Sequence, residues 1–193
     1  MTASLRLITK DDLERIRHWR MQPEISRYMY TDPVITEQSQ QEWFARVEAS
    51  HHDIVWSIDL SDGTPVGILS LSDIDYLNSR CVWAYYIAEP AGQGKGLAKP
   101  LECNIADFVF GTLQLRKLWC EVFSTNERVV ALHERFGSKV EGVLRQHIRK
   151  GSETFDVVRM GLLREDWIAL RPSLKYAAMA IDVPVHKIKG NNK

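Results

Sequence analysis

A chain of 193 residues suits one compact domain with a short extension and leaves little room for two complete domains. Apolar residues make up 45% of it and charged residues 26%, which excludes a disordered or fibrous protein. The 25 basic residues balance 25 acidic ones, so no net field draws the chain to nucleic acid or to an anionic membrane.

In chain order, Leu5, Leu7 and Ile8 predict a first strand. Thr9 and Asp12 make a capping-box start for a helix that carries Leu13, Ile16 and Trp19 and ends near Pro23. A long loop, 23–35, is rich in aromatic and sulfur groups. A second helix starts at Thr36, with Gln40, Trp43, Phe44 and Val47 on one face. A hairpin follows, Ile54 to Leu60 and Pro65 to Leu71, joined across Ser61, Asp62 and Gly63. Residues 82–88 are apolar on both alternating faces and predict a central strand covered above and below.

Gly92, Gly94 and Gly96 open a loop before a helix marked by Leu97, Leu101, Ile105, Phe108 and Val109. Leu118 to Phe123 reads as a strand, Asn126 to Phe136 as a helix stopped by Gly137, and 140–148 with 155–163 as a hairpin. Glu165 to Leu170 adds a turn of helix. Past residue 171 the periodicity is lost, so the expected organisation is a domain over 1–171 and an extension over 172–193, partly disordered. No internal repeat or low-complexity linker interrupts the chain.

Cys81, Cys103 and Cys120 are an odd set without CxxC spacing, a poor disulfide framework and a poor zinc site. They fit a reducing compartment. The first ten residues lack a secretory signal, and no run approaches the roughly 20 apolar residues of a membrane span. A cytoplasmic protein is expected.

Three features carry chemistry. The stretch Gln93, Gly94, Lys95, Gly96, Leu97, Ala98 lies between a strand end and a helix start, where backbone N–H groups, the helix terminus and Lys95 can converge on a diphosphate. It matches neither GxxxxGK[ST] nor GxGxxG. Glu121 shares a strand face with Trp119 and Phe123, and burial there is expected to raise its pKa into the range of a general base. His133 falls with Val129, Leu132 and Phe136 on one helix face, close enough in sequence to Glu121 for both to reach one cleft. The other histidines, His18, His51, His52, His147 and His186, show no metal spacing, and no covalent nucleophile or metal is implied. Arg20, Met29, Tyr30, Gln40 and Trp43 could line a second mouth, with an arginine for phosphate and aromatic faces for a flat ring.

The loop Gln93-x-x-Gly96-x-Ala98 between strand and helix resembles the acetyl-CoA loop of the GCN5-related N-acetyltransferase superfamily, which reads Arg or Gln, x-x-Gly-x, then Gly or Ala. Asn126-x-x-Val-x-Ala-Leu-His-Glu-Arg-Phe-Gly137 resembles its second motif. Glu141-Gly142-x-Leu-Arg with Asp156-Val-Val-x-Met-Gly-Leu-Leu resembles the closing hairpin of its ribosomal-protein-acetyltransferase-like branch. The resemblance implies an α/β (α+β) fold with a mixed sheet of about seven strands, splayed between the fourth and fifth and flanked by helices. It implies acetyl-CoA as cosubstrate, no metal, and direct transfer to a primary amine. Ile87, Ala88 and Glu89 would hold the pantetheine arm and polarise the thioester carbonyl, residues 93–98 the diphosphate, and Asn126 would touch the cofactor. His133 stands where the superfamily usually has the tyrosine that protonates the departing thiolate.

Trp19-Arg-x-x-Pro23, Met29-Tyr-Thr and Gln40-x-x-Trp43-Phe further resemble the nucleotide-amino-sugar N-acetyltransferases of pseudaminic acid biosynthesis. On that likeness Arg20, Met29, Tyr30, Gln40, Trp43 and Trp83 would surround a UDP-4-amino-4,6-dideoxy sugar, with Glu121 taking up the amine proton. Met21 and Gln40 depart from that family's Asn and His. A homodimer is compatible with the resemblance. The alternatives are a ribosomal-protein or peptide N-terminal acetyltransferase, a polyamine or aminoglycoside acetyltransferase, and a silent acyl-CoA-binding module.

Overall fold

The computed structural model describes residues 3–184. Its strands are β1 (Ala3–Leu7), β2 (Ile54–Leu60), β3 (Pro65–Asp75), β4 (Arg80–Ile87), β5 (Lys117–Phe123), β6 (Lys139–Lys150), β7 (Glu153–Leu163) and β8 (Ala180–Ile181). They form one mixed sheet in the order β6-β7-β5-β4-β3-β2-β1-β8. The β4·β5 and β1·β8 pairs are parallel and the others antiparallel. The helices are α1 (Leu13–Met21), α2 (Pro23–Ser26), α3 (Glu37–Ala49), α4 (Ala98–Asp107), α5 (Glu127–Arg135) and α6 (Arg164–Leu170). Among the described residues, no helix is long and apolar enough to cross a membrane.

The local signals act as expected. Asp12 accepts from the Thr9 backbone N–H at 2.8 Å, and the Thr36 hydroxyl accepts from the Ser39 N–H at 3.1 Å, so both helical starts satisfy donors that a helix leaves open. The sheet carries apolar side chains on both faces, and each face has its own helical layer. Leu101 and Ile105 of α4, Phe136 just past α5 and Trp167 of α6 close one core with Trp56, Leu69, Trp83 and Leu118. Ile16 and Trp19 of α1 and Phe44 of α3 close a second against Val55, Ile68 and Ala88.

The expectation that 82–88 is covered above and below holds only at its start. Strands β4 and β5 pair at three positions, Arg80 with Lys117, Cys81 with Leu118 and Val82 with Trp119, and then part. Ala84 is exposed and Tyr85, Tyr86 and Ile87 are half-buried. The apolar run that looks like a buried strand lines a wedge-shaped opening in the middle of the sheet.

The described part of the extension is tied to the domain by hydrogen bonds. Asp182 N–H donates to the Leu5 carbonyl at 2.8 Å, Leu7 N–H donates to the Asp182 carboxylate at 3.1 Å, and β8 pairs with β1. Asn104 on α4 accepts from Met179 N–H and donates to the Ala177 carbonyl. Residues 174–182 thus form a strap whose hydrogen bonds replace the missing periodicity. Residues 185–193 of the expected extension lie outside the described residues.

Candidate active site

The opening between β4 and β5 fixes which backbone groups are free. Ala88 N–H donates to the Val66 carbonyl at 2.8 Å and Glu89 N–H donates to the same oxygen at 3.1 Å. Because Ile87 and Tyr85 alternate with Ala88 in a regular antiparallel register, their N–H and C=O groups point the other way, toward β5. There β5 has already left. Of the three residues singled out at this strand end, Ile87 therefore offers a free amide, while those of Ala88 and Glu89 are bonded to β3. The Glu89 carboxylate accepts from Trp19 Nε1 at 2.5 Å, which ties α1 to the end of β4.

Past that end the chain turns through Gln93, Gly94, Lys95 and Gly96, all exposed, into buried Leu97 and α4. Gly94 and Gly96 have φ of +67° and +73°, a conformation costly for residues with a Cβ. Among the described residues, the N–H groups of Gly94, Lys95, Gly96 and Leu97 donate to no protein carbonyl. Free amides in a turn of this handedness at a helix start, beside an ammonium, form an anion cradle. Asn126 begins α5, and its side chain makes no cap hydrogen bond. The free strand edge and the open amides fit a pantetheine arm and a diphosphate.

On the α1–α3 side of the sheet, β5 presents Glu121 between Trp119 and Phe123. Tyr30, from the loop after α2, donates its hydroxyl to Glu121 Oε2 at 2.5 Å and lies 5.6 Å from the Phe123 ring. Arg159, directly opposite on β7, donates to Glu121 Oε1 through Nε at 2.9 Å and Nη2 at 2.5 Å, and its guanidinium covers the Trp119 ring at 4.7 Å. These partners overturn the expected upward shift. Burial does push the Glu121 carboxyl up, but the hydrogen bonds from Tyr30 and Arg159 and the arginine charge more than offset it, so its pKa lies below the ordinary value. Strand alternation reveals an apolar setting, whereas the compensating arginine comes from a strand 38 positions away.

The residues expected around the acceptor divide. Arg20 reaches the same loop, donating to the Thr31 carbonyl at 3.0 Å. Met29 and Trp43 pack against the second core. Gln40 is buried among the residues that line an α1–α3 groove of about 660 Å³. Trp83 is not on this side at all. It is 3% exposed in the main core, 5.5 Å from Tyr85 and 5.2 Å from His133, because odd-numbered residues of β4 face α4 and α5. Lys150 was missed by sequence reasoning. Its ammonium donates to the carbonyls of Ser26 at 2.9 Å and Met29 at 3.1 Å and pairs with Asp32 at 2.9 Å, so the β6–β7 turn holds the loop that carries Tyr30.

His133 is 5% exposed and bonds through Nδ1 to Glu102 Oε1 of α4 at 2.8 Å. Burial opposes protonation of this ring, but hydrogen bonds with Cys120 and Glu102 and the Glu102 charge prevail, raising its pKa to about 10. The ring touches the opening from the α4–α5 side, since Trp83 and Cys120 are the first residues beyond the last β4·β5 pair. Glu121 and His133 therefore approach the opening from opposite faces of the sheet. Sequence spacing predicted one cleft for both but not two sides of it. Among the described residues, no group of three His, Cys, Asp or Glu side chains could hold a metal ion.

Residues 3–139 match the acetyltransferase (GNAT) domain family. The chain belongs to that family. Its fold is the GNAT fold, and it is an N-acetyltransferase that uses acetyl-CoA as cosubstrate. It is 25% identical over 165 residues to the spermidine N(1)-acetyltransferase of Vibrio cholerae, covering 86% of this chain and 95% of that protein. It is 23% identical over 168 residues to the Escherichia coli K12 spermidine N(1)-acetyltransferase, covering 87% and 89%. The crystal structure of the Vibrio cholerae enzyme with CoA and spermine has the same fold, with a TM-score of 0.82 at 24% identity over 86% of this chain and 98% of that one. None of these relatives is named for a nucleotide sugar, so the expected UDP-amino-sugar acceptor finds no support among them.

Proposed function

We propose that this acetyltransferase acts on the primary amine of a small polycationic acceptor of the spermidine class, which enters from the Tyr30 and Glu121 side of the opening. The observation that carries this reading is the Glu121 carboxylate, held in place by Tyr30 and Arg159. Arg159 occupies Oε1 and Tyr30 takes one site on Oε2, which leaves Oε2 a further lone pair for an amine N–H or a water. The spermidine N-acetyltransferase relatives support the same acceptor class.

Acetyl-CoA supplies an acetyl group already activated as a thioester. In this reading the amides of residues 93–98, with Lys95, hold its diphosphate, Asn126 makes a side contact, and the free Ile87 N–H is the donor for the thioester carbonyl. Glu121 orients the attacking amine and accepts its proton directly or through water, and His133 faces the departing thiolate from the other side. Because Glu121 stays ionised well below neutrality, its task is positioning and electrostatic attraction more than tuned basicity.

A second reading has one observation in its favour. Arg20 keeps a buried Nη1 without a hydrogen-bond partner, and Arg159 and Lys150 border the same mouth, so an acceptor with an anionic segment, such as the UDP-linked amino sugar, would find cations there. The deciding experiment is thiol release from acetyl-CoA with spermidine, the UDP-4-amino-6-deoxy sugar, a peptide amine and no acceptor in parallel. Saturable release with spermidine is expected. Release confined to the UDP-sugar or to the peptide would replace the polyamine by that acceptor. One relative, a Vibrio cholerae spermidine N-acetyltransferase, is dodecameric, so self-association of this chain is part of the same proposal and is read by light scattering.

A further inference from the structure

Glu102 is a buried charged side chain that the mechanism leaves without a role. It is 5% exposed on α4, the helix that begins at the anion cradle, and its carboxylate points inward. Burying a carboxylate is costly unless it is paired. Here the partner is the His133 Nδ1 at 2.8 Å, with side-chain exposures of 6% for the histidine and 3% for the glutamate. The titratable groups that face this pair are Cys120 from β5, beside the imidazole, and Tyr85 from β4, beside the Glu102 carboxylate. Tyr85 stacks on Trp83, and Trp83 in turn packs on His133. The cluster thus closes on itself beneath the point where β4 and β5 separate.

From this geometry we infer that Glu102 is a positioning residue for acetyl transfer. It engages His133 Nδ1, fixes the ring plane and keeps the imidazolium form, which leaves Nε2 as the ring N–H that can serve the departing sulfur. The inference rests on the proposed role of His133 facing the departing thiolate. An imidazole with a near-neutral pKa would give a thiolate donor that fades above neutrality. Paired with a buried carboxylate, it is instead a constant cation over the physiological range, and its charge favours the thiolate as the sulfur–acetyl bond breaks. The proton moves from Nε2 to sulfur, and the ring regains a proton from solvent in the next turnover.

The test combines spectroscopy with kinetics. Protein with 15N-labelled histidine is titrated from about pH 5 to about pH 10, for the parent, Glu102→Gln and Glu102→Asp. In the parent the His133 ring is expected to keep both N–H protons through pH values where ordinary histidines are neutral. In Glu102→Gln it should titrate near or below the ordinary value, because burial then acts unopposed. The same proteins are assayed with acetyl-CoA and spermidine. Glu102→Gln should lower kcat by about tenfold to a hundredfold, leave both KM values nearly unchanged, and create a limb of kcat that falls as pH rises through neutrality. Glu102→Asp should recover part of kcat and remove that limb. A double variant with His133→Gln should be no slower than His133→Gln alone.

A parent His133 that titrates at an ordinary value would overturn the inference, as would Glu102→Gln with parental kcat and pH profile. If spermidine is not the acceptor, the spectroscopic arm is unaffected and the kinetic arm is run with the amine that releases thiol, so the two readings fall separately.

Discussion

Tyr30 and Glu121, 91 positions apart, share a 2.5 Å hydrogen bond in which the hydroxyl donates to Oε2. The bond joins the loop after α2 to the strand that lines the opening, so the acceptor mouth exists only when both are in place. Burial and the neighbouring carboxylate push the tyrosine hydroxyl pKa well above its ordinary value, so it stays a donor wherever the enzyme is folded. Tyr30→Phe removes a bond to a charged group, worth about 1.5–3 kcal/mol when well shielded and less at this half-exposed site. The expected result is a several-fold rise in acceptor KM with acetyl-CoA KM unchanged, read from initial rates with each substrate varied in turn.

Lys150 should behave as a loop clamp. Its ammonium has three oxygen partners, among them the carbonyls of Ser26 at the end of α2 and Met29 in the loop that follows, and its side chain is only 12% exposed. Lys150→Met keeps the apolar stem and loses all three bonds. Acceptor KM should rise while the acetyl-CoA KM and the far-ultraviolet spectrum stay as in the parent. Limited proteolysis should cut the loop at 26–32 faster, and equal cleavage rates would refute the clamp.

The turn proposed to hold the diphosphate makes the opposite prediction. Gly94→Ala and Gly96→Ala each place a Cβ at positive φ but meet nothing within 4 Å. The cost is therefore backbone strain of about 1 kcal/mol without a clash. If the loop relaxes by rotating an amide, CoA affinity falls and acceptor KM does not, which isothermal titration with CoA and steady-state kinetics would separate.

His133 predicts how stability depends on pH. Its folded pKa, about 10, lies above the ordinary 6.5. The stabilisation from its protonated pair with Glu102 is therefore complete below about 6.5 and is lost as pH rises toward 10. The melting temperature should decline over that window, and His133→Gln should flatten the decline. Glu121 has the opposite sign. Its lowered pKa contributes stability above the ordinary 4.5 that disappears only as pH falls through the folded value.

The strap supplies a stability test away from chemistry. Trp56 is fully buried and its Nε1 donates to the Asp182 carbonyl at 2.8 Å, while Asn104 has partners at Ala177 and Met179. Truncation after Ser173 leaves these groups unsatisfied at about 1–3 kcal/mol each. A melting temperature lower by several degrees is expected, and an unchanged one would show that water replaces the strap at no cost.

The order of strands and helices was readable from the sequence because it rests on local signals. Apolar alternation marks β2, β3 and β5, and helical spacing marks α3, α4 and α5. Thr9, Thr36 and Gly137 mark where helices start and stop, and Gly94 and Gly96 announce a turn at positive φ before α4. Such features depend on neighbours a few residues apart. What the tertiary structure decided depends on partners far apart in the chain. The parting of β4 from β5 turned an apparently buried strand into the wall of an opening. Arg159 turned Glu121 from a raised into a depressed carboxylate, Glu102 pushed the His133 imidazole pKa upward against its burial, and β4 alternation sent Trp83 to the face opposite Tyr30. Periodicity reports which way a side chain points along its own element, and a pKa reports the charges that other elements bring to it, so the fold could be read before the electrostatics of its site.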